Sequence, residues 1–492
     1  MLANLGSRPI KDLMRPYVTL MSRAQAVISV RVLRRFQENL QSTGVVPTGA
    51  RVLVGFSGGA DSTCLLDLLA KSSIDVVAAH LHHGQRPEAD QELEACAKFA
   101  DDIGVPFVSG KVDVPALARD QKKGLEEAGR IARYRFFSSA KDSTGCQLVA
   151  TAHTLDDHVE TIVFNLARGT GLSGLAGIPQ KRDDIVRPLL DFTRLETRAY
   201  CQEHGLNYHD DPANTDLVHS RTRIRMNVLP ELEKVNSDFR RAVQRLSIIA
   251  AEDDDLLNGI ATSFIEQNEV LLNAGLSFLT RDCEIALRKQ AFSAHPKPVT
   301  SRAVRLIVEA LGGQLDFAST RSLLEALKKE KGSWTPEGGT MCAEWDRDVV
   351  HFRILLPDVP QRMTLKPPGT LDSPVFGWSL IVEAHNVEDY LRKKDSLDVV
   401  VDGSQVQGDM YVRTAQRGES VQPLGMSGTK LLSDLFQEHG LTGCARKRLP
   451  IVCDFVGPVW IPGICLVERV KITEHSSQGL RLMLKSLSVL PA

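Results

Sequence analysis

Ser57-Gly58-Gly59-Ala60-Asp61-Ser62 is the stretch of this chain best equipped for chemistry. The apolar run Val52-Leu53-Val54-Gly55-Phe56 precedes it, and Leu65, Leu66, Leu68 and Leu69 follow in a helical pattern. A strand, a turn of small residues and a helix start together make an anion site. Two glycines let backbone N–H groups converge, and the helix N-terminus adds partial positive charge. Ser57 and Ser62 add hydroxyl donors. The turn holds no lysine, which separates it from the Gly-x-x-x-x-Gly-Lys-Ser/Thr phosphate loop. The six residues are read as the phosphate-holding part of a nucleotide site.

A second group is His153-Thr154-Leu155-Asp156-Asp157-His158-Val159-Glu160-Thr161. A helix opening at His153 would place His153, Asp157, Glu160 and Thr161 on one face. Carboxylates grouped in this way suit Mg²⁺, a hard cation that bridges protein oxygens to phosphates. They suit the ammonium group of an amine substrate equally. Acids also favour the first turn of any helix, which accounts for Asp156 and Asp157 but not for His153 and Glu160. Arg168-Gly169-Thr170-Gly171-Leu172-Ser173-Gly174 follows, where glycines permit close backbone approach and Arg168 can neutralise phosphate.

These groups need a frame, and the chain supplies one between Arg51 and about Pro188. Val76 to His80, Pro106 to Val108, Leu148 to Thr151 and Ile185 to Arg187 read as further strands after the first. Glu88 to Ile103 and Leu125 to Lys141 read as helices between them. Such alternation predicts a parallel sheet with helices on both faces, an α/β fold. Ligands of such sheets sit beyond the carboxyl ends of the strands, where both the Ser57–Ser62 loop and His153 fall. Beyond Pro230 the texture changes. Residues 240–330 read as mostly helical, Gly338-Gly339 as a hairpin turn before Val349 to Phe352, and Pro357, Pro360, Pro367 and Pro368 as a linker. Short β-like runs follow at Leu380 to Val382, Val399 to Val401, Ile451-Val452 and Val459 to Ile461, interrupted by a helix over Leu431 to Glu438. The expected division is an N-terminal extension over 1–31, a nucleotide domain over 32–235, a mostly helical domain over 240–356 and a small α/β domain over 367–492.

Composition bounds the partners. The chain has 492 residues, 24% charged and 43% hydrophobic, with a net charge of −2. That is ordinary for a soluble globular protein and is no nucleic-acid footprint, so any such partner must be held by local basic patches. Nine cysteines without a C-x-x-C pair suggest neither zinc nor iron–sulfur ligation and fit a reducing cytoplasm. No apolar run reaches membrane-spanning length, so no membrane partner is expected. Arg8, Lys11, Arg15, Arg23 and Arg31 against the single acid Asp12 faintly suggest a transit peptide, but no cleavage pattern accompanies them. The first 31 residues are read as a poorly ordered extension.

Taken together, the motifs resemble the tRNA(Ile)-lysidine synthase family, within the superfamily whose pyrophosphate loop serves the splitting of ATP into AMP and pyrophosphate. The resemblance is carried by Ser57 to Ser62, His82-His83-Gly84-Gln85-Arg86-Pro87, Glu127 to Tyr134, His153 to Thr161 and Arg168 to Gly174. It continues through Arg187-Pro188-Leu189-Leu190, Asp211-Pro212-Ala213-Asn214 and Arg221 to Pro230. Arg417-Gly418-Glu419, Pro423-Leu424-Gly425, Lys430 to Asp434, Trp460 to Gly463 and Glu468-Arg469 complete it. Gln85, His158 and Ser173 depart from the family's usual Leu, Gln and Arg.

The resemblance implies a pyrophosphatase-type α/β domain followed by a helical domain and an α/β tRNA-binding domain. It implies ATP, L-lysine and isoleucine tRNA as partners, Mg²⁺ as cofactor, and leaves a homodimer open. ATP would be held by Ser57, Gly58, Gly59, Ala60, Asp61, Ser62, His153 and Arg168. Asp61 and Asp157 would hold the metal, and Asp157 and Glu160 the lysine. Asp61, Asp157 and Glu160 would carry catalysis. Arg221, Arg223, Arg225, Lys430, Arg446, Lys447 and Arg448 would meet tRNA phosphates, as would Arg240, Arg241 and Arg245. The alternatives are a tRNA thiolase of the same superfamily, which would rely on cysteine persulfides or a cluster, an ammonia-using ligase, and a non-catalytic tRNA-binding protein.

Overall fold

The structure is a computed structural model, and it describes residues 31–82, 84, 89–209, 220–272, 275–336, 339, 341–355, 362–387 and 397–487. The expectations for the N-terminal extension up to residue 30, His83, Gln85 to Pro87, Asp211 to Asn214, Gly338, Pro357 and Pro360 lie outside the described residues. By its internal contacts the chain divides into two compact units, Met1–Asp255 and Leu256–Ala492.

The first unit opens with helix α1 over 31–43. Strand β1 (Arg51–Gly55), helix α2 (Ala60–Lys71), β2 (Asp75–His82), α3 (Ala89–Asp102) and β3 (Phe107–Lys111) follow. Then come α4 (Val114–Gln121), α5 (Leu125–Thr144), β4 (Leu148–Ala150), α6 (Leu155–Arg168) and the short α7 (Leu172–Leu175). β5 (Lys181–Arg182), β6 (Ile185–Val186) and α8 (Arg194–Glu203) complete the sheet region. The six strands run in the order β3-β2-β1-β4-β6-β5. All neighbours are parallel except β5 and β6.

The strands are apolar on both faces, as a sheet covered on both sides requires. Val52, Val54, Val76, Ala78, Leu148 and Ala150 join a core with Phe36, Leu65, Leu66, Phe192 and Tyr200. The alternate residues Leu53, Val77, Ala79 and Val149 pack with Phe137 and Ala140 of α5. Each fully buried Leu or Val there contributes about 1.5–3 kcal/mol. From β1 the chain winds outward to β2 and β3, then returns to β4 on the other side of β1. This reversal makes the carboxyl ends of β1 and β4 the switch point of the sheet, where such folds bind ligands. After α8, helix α9 (Ser220–Arg223), a π-helical turn (Ile224–Val228), α10 (Leu229–Val235) and the long α11 (Phe239–Asn268) follow.

In the second unit, helices Lys297–Ala310 and Phe317–Ala326 share a core with a four-stranded antiparallel sheet. Its strands are Glu284–Arg288, Val349–Ile354, Met341–Trp345 and Gly332–Trp334. Further antiparallel sheets lie beyond residue 362, with helices Leu432–Glu438 and Gly443–Arg448. Their core, around Trp378 and Trp460, also takes in Leu276, Phe278 and Leu279. Contacts therefore join the stretches 240–356 and 367–492, which the sequence reading separates, from residue 256 onward. Among the described residues no helix is long and apolar enough to cross a membrane.

Candidate active site

The phosphate loop is built by the end of β1. The Phe56 N–H still reaches the Ala79 carbonyl at 2.8 Å, and the chain then leaves the sheet. Gly58 turns it with φ +78°, and a Cβ there would lie 2.9 Å from Cys96 Sγ. Gly59 is the N-cap of α2 and contributes no side chain to the cap. Helical bonding begins only at Thr63, whose N–H donates to the Gly59 carbonyl at 3.0 Å. The N–H groups of Ala60, Asp61 and Ser62 are thus those a helix start leaves without a carbonyl one turn back. Ser62 Oγ lies 3.0 Å from the Gly59 carbonyl and 3.1 Å from Ser57 Oγ, and it accepts from the Ser57 N–H at 3.2 Å. The two serines brace the turn and leave the helix-start donors for an anion.

The acidic side is built by α6. Its N-cap is Thr154, and Asp157 closes a capping box by accepting from the Thr154 N–H and hydroxyl on Oδ2, each at 2.9 Å. His153 therefore precedes the helix, and the helical face expected to carry it is corrected: it stands in the stretch between β4 and α6, outside both elements. Thr151 Oγ1 orients its ring at 2.9 Å from Nδ1. Burial pushes the His153 pKa below its usual value, Asp157 pulls it up, and Arg187, Arg133 and Arg221 push it down again. The ring stands in a field of arginines.

Arg194, the first residue of α8, joins the two sides. Its Nη1 donates to Glu160 Oε1 at 2.7 Å, its Nη2 donates to Asp157 Oδ1, and its Nε stands 3.8 Å from Asp61 Oδ2. Its backbone N–H donates to Asp156 Oδ2 at 2.8 Å. Thr197 Oγ1, one turn further along α8, donates to Asp61 Oδ1. Burial pushes Asp61 up to about 6 against the Thr197 bond, with the Asp157 charge adding to the rise and Arg194 opposing it. Asp157 is held below its ordinary value: burial opposes this, and Arg194 and the Thr154 N–H outweigh it.

Glu160 is the most enclosed of these acids, with a side chain 3% exposed against 26% for Asp157. Arg225 also grips it, Nε on Oε1 at 2.7 Å and Nη2 on Oε2 at 3.0 Å. The π-helical turn Ile224–Val228 carries Arg225. The guanidinium expected to meet tRNA phosphates is thus paired with a buried carboxylate, the Arg225 side chain being 28% exposed. Arg240 is paired with Asp156 and Glu233, Arg241 with the Asp191 carbonyl and Arg245 with Asp238. Arg221 and Arg223 are exposed. Arg168 ends α6, fourteen residues and so roughly 20 Å from its start, and its guanidinium lies over Phe164. It stands at the opposite end of α6 from Asp157.

In the second unit Lys447 is exposed and Arg446 half-buried, its Nε donating to the Leu441 carbonyl at 2.9 Å. Lys430 pairs with Glu438. Arg448 is 5% exposed and donates to the Leu279 and Val375 carbonyls and to Cys283 Sγ. It is an interior residue, so the expected tRNA contact from it is corrected. His158, one of the departures, is a core residue: Nδ1 accepts the Ile178 N–H at 3.1 Å and Nε2 faces Ser247 Oγ at 2.7 Å.

Among the described residues no cluster of three or more His, Cys, Asp or Glu side chains could hold a metal ion. A magnesium ion that also binds phosphates needs only one or two protein carboxylates. Asp61 fits, since among the described residues Oδ2 takes no hydrogen bond and meets only Arg194, at 3.8 Å. Asp157 fits less well, because Thr154 and Arg194 engage both of its oxygens.

Arg194 and Thr197 are the residues that reading the sequence missed. The local signal was there: Thr193 and Glu196 form a capping box that fixes the start of α8, as the Thr-x-x-Glu spacing announces.

The chain matches the model of a PP-loop domain over residues 28–232 and that of a TilS substrate C-terminal domain over residues 410–483. It is 32% identical over 434 residues to a tRNA(Ile)-lysidine synthase of Geobacillus kaustophilus, covering 85% of this chain and 91% of that one. To a protein of the same name from Porphyromonas gingivalis it is 30% identical over 468 residues, covering 93% and 97%. To one from Clostridium tetani it is 27% identical over 457 residues, covering 90% and 96%.

Proposed function

The chain belongs to the tRNA(Ile)-lysidine synthase family, and from that premise we propose that it joins L-lysine to carbon 2 of the wobble cytidine of an isoleucine tRNA with a CAU anticodon. The cytidine oxygen attacks the α-phosphate of ATP and pyrophosphate leaves. The ε-amine of lysine then forms a bond to carbon 2, the bond to the adenylated oxygen breaks, and AMP departs while the amine gives up a proton. The protein is a carbon–nitrogen ligase that uses ATP.

One observation carries the reading: the phosphate loop and an acidic edge are held side by side at the switch point of the sheet by Arg194 and Thr197. The N–H groups of Ala60, Asp61 and Ser62 suit the leaving pyrophosphate as its charge develops. A bound Mg²⁺ would neutralise phosphate oxygens, and Asp61 is the residue to hold it. The arginines around His153 make that side favourable for phosphate. Asp157 is the reachable acid for the lysine ammonium, because its Oδ1 has a lone pair beyond the one Arg194 takes. Glu160 stands behind it. Arg221, Arg223, Arg225, Lys430, Arg446 and Lys447 are the side chains expected to meet tRNA phosphates that stay at least partly exposed. The free thiols suit a reducing compartment such as the cytoplasm.

The test is to incubate the protein with unmodified isoleucine tRNA, ATP, Mg²⁺ and labelled lysine. The expected result is release of pyrophosphate and label covalently bound to the tRNA, with a nucleoside heavier by one lysine less water. Pyrophosphate release that depends on a sulfur donor instead of lysine would identify a thiolase and reject this reading.

A further inference from the structure

Arg194 uses each nitrogen of its guanidinium on a different carboxylate. Nη1 meets Glu160, Nη2 meets Asp157 and Nε faces Asp61. Asp61 belongs to the first turn of α2, whereas Asp157 and Glu160 lie at the start of α6. A single planar group therefore spans the phosphate side and the acidic side. Its root is rigid: Thr193 caps α8, Glu196 closes the capping box, and the Arg194 backbone N–H is fixed on Asp156.

The three acids do not depend on Arg194 equally. Asp61 keeps the Thr197 hydroxyl on Oδ1 whatever Arg194 does, and Arg194 Nε is 3.8 Å away. Asp157 and Glu160 are held directly, by charge-assisted bonds that fix direction as well as charge. Glu160 retains Arg225 if Arg194 is lost. The Oδ1 of Asp157 has no other partner among the described residues than Arg194. That oxygen keeps a lone pair that an ammonium group could take.

We propose that Arg194 is a positioning residue for the amine half of the reaction, aiming Asp157 Oδ1 and bracing Glu160 behind it so that the lysine ε-ammonium is received beside the phosphate loop. This inference rests on the lysine reading of the site. The guanidinium sets the spacing between the two acids as a rigid fork. A lysine at this position would keep the charge but make a single point contact, so it would not bridge both.

The experiment compares wild type with Arg194→Gln and Arg194→Lys. Three quantities are measured: the burst of pyrophosphate from tRNA adenylation without lysine, the kcat and KM for lysine transfer, and the thermal midpoint. Arg194→Gln is expected to lower kcat/KM for lysine by at least about ten-fold more than it lowers the burst rate. Arg194→Lys recovers part of that difference. Equal losses in both steps, or no loss in either, would overturn the proposal and leave Arg194 a structural ion pair. Should Arg194→Gln fail to fold, the same ratio is read from Arg194→Lys. A wild-type protein that adenylates tRNA but takes no lysine rejects the lysine reading and this inference with it. Intact lysine transfer in wild type, with an unaltered ratio in the variants, rejects the inference alone.

Discussion

At the scale of single residues, environment decides which acids and bases are available. Asp61 and Glu160 are both carboxylates near one guanidinium, yet among the described residues Asp61 keeps an oxygen without a hydrogen bond while arginines engage both oxygens of Glu160. Asp61→Asn keeps the shape and removes the charge. It is expected to slow tRNA-dependent pyrophosphate release by at least ~100-fold, since electrostatic terms of this kind dominate phosphate chemistry. Affinity for tRNA, measured by filter binding, should stay near wild type; a wild-type burst of pyrophosphate would remove Asp61 from the mechanism. His158 shows the opposite case, a titratable group used for packing. Burial lowers its pKa against the Ile178 bond and the Asp191 charge. A histidine whose folded pKa lies below its unfolded one binds a proton more readily when unfolded. Stability is therefore lost as pH falls below the unfolded value. His158→Gln can accept the Ile178 N–H and donate to Ser247 without titrating. Its thermal midpoint should fall less than that of wild type between about pH 7 and pH 5, and parallel curves would show that His158 does not contribute.

At the scale of elements, the sequence makes the sheet legible because its strands are buried on both faces and read as short apolar runs. Strands and loop are found where Val52 to Phe56, Val76 to His80 and Leu148 to Thr151 place them. The start of α6 is less legible. The spacing of His153 and Asp157 suggests one helical face, but Thr154 is the better cap and takes that position, leaving His153 before the helix. Helix α4 was also unannounced, although Asp113 caps it and Pro115 sits in its first turn. The helix start that carries Arg194 is announced by spacing, but its contact with Asp157, 37 residues away in the chain, comes only through the fold. The phosphate loop gives the prediction of this scale. Gly58 adopts φ +78°, and a Cβ would press on Cys96 Sγ at 2.9 Å. Gly58→Ala should cost about 1–2 kcal/mol in backbone strain and raise the KM for ATP. Adding Cys96→Ala should relieve the crowding but not the strain, so the double variant is expected to recover partly. Full recovery in steady-state kinetics would mean that the sulfur, and not the turn, sets the requirement for glycine.

At the scale of the molecule, a net charge of −2 sets a constraint on any polyanionic partner. The whole protein does not attract tRNA; a few side chains must. Sequence order suggested Arg446-Lys447-Arg448 as one basic patch. A short helix turns its residues in different directions, so the three were never equivalent: Arg448 is buried on the Leu279 and Val375 carbonyls, Lys447 is exposed, and Arg446 is half-buried near Phe436. The inward turn of Arg448 follows from the core that Leu276, Phe278 and Leu279 share with Trp378 and Trp460, a long-range packing that no local pattern reveals. Two cations of the three are left to act. Phosphate contacts release counterions, so each one lost should flatten the dependence of log affinity on log salt by roughly 0.7–0.9. Reversing both charges, as Arg446→Glu with Lys447→Glu, is therefore expected to weaken tRNA binding and to flatten that slope by about 1–2. The KM for ATP should not move, because neither side chain belongs to the phosphate loop. Filter binding across a series of salt concentrations measures the slope directly. If the affinity falls while the slope stays at its wild-type value, the loss does not come from phosphate contacts, and Arg446 and Lys447 are a solvated face.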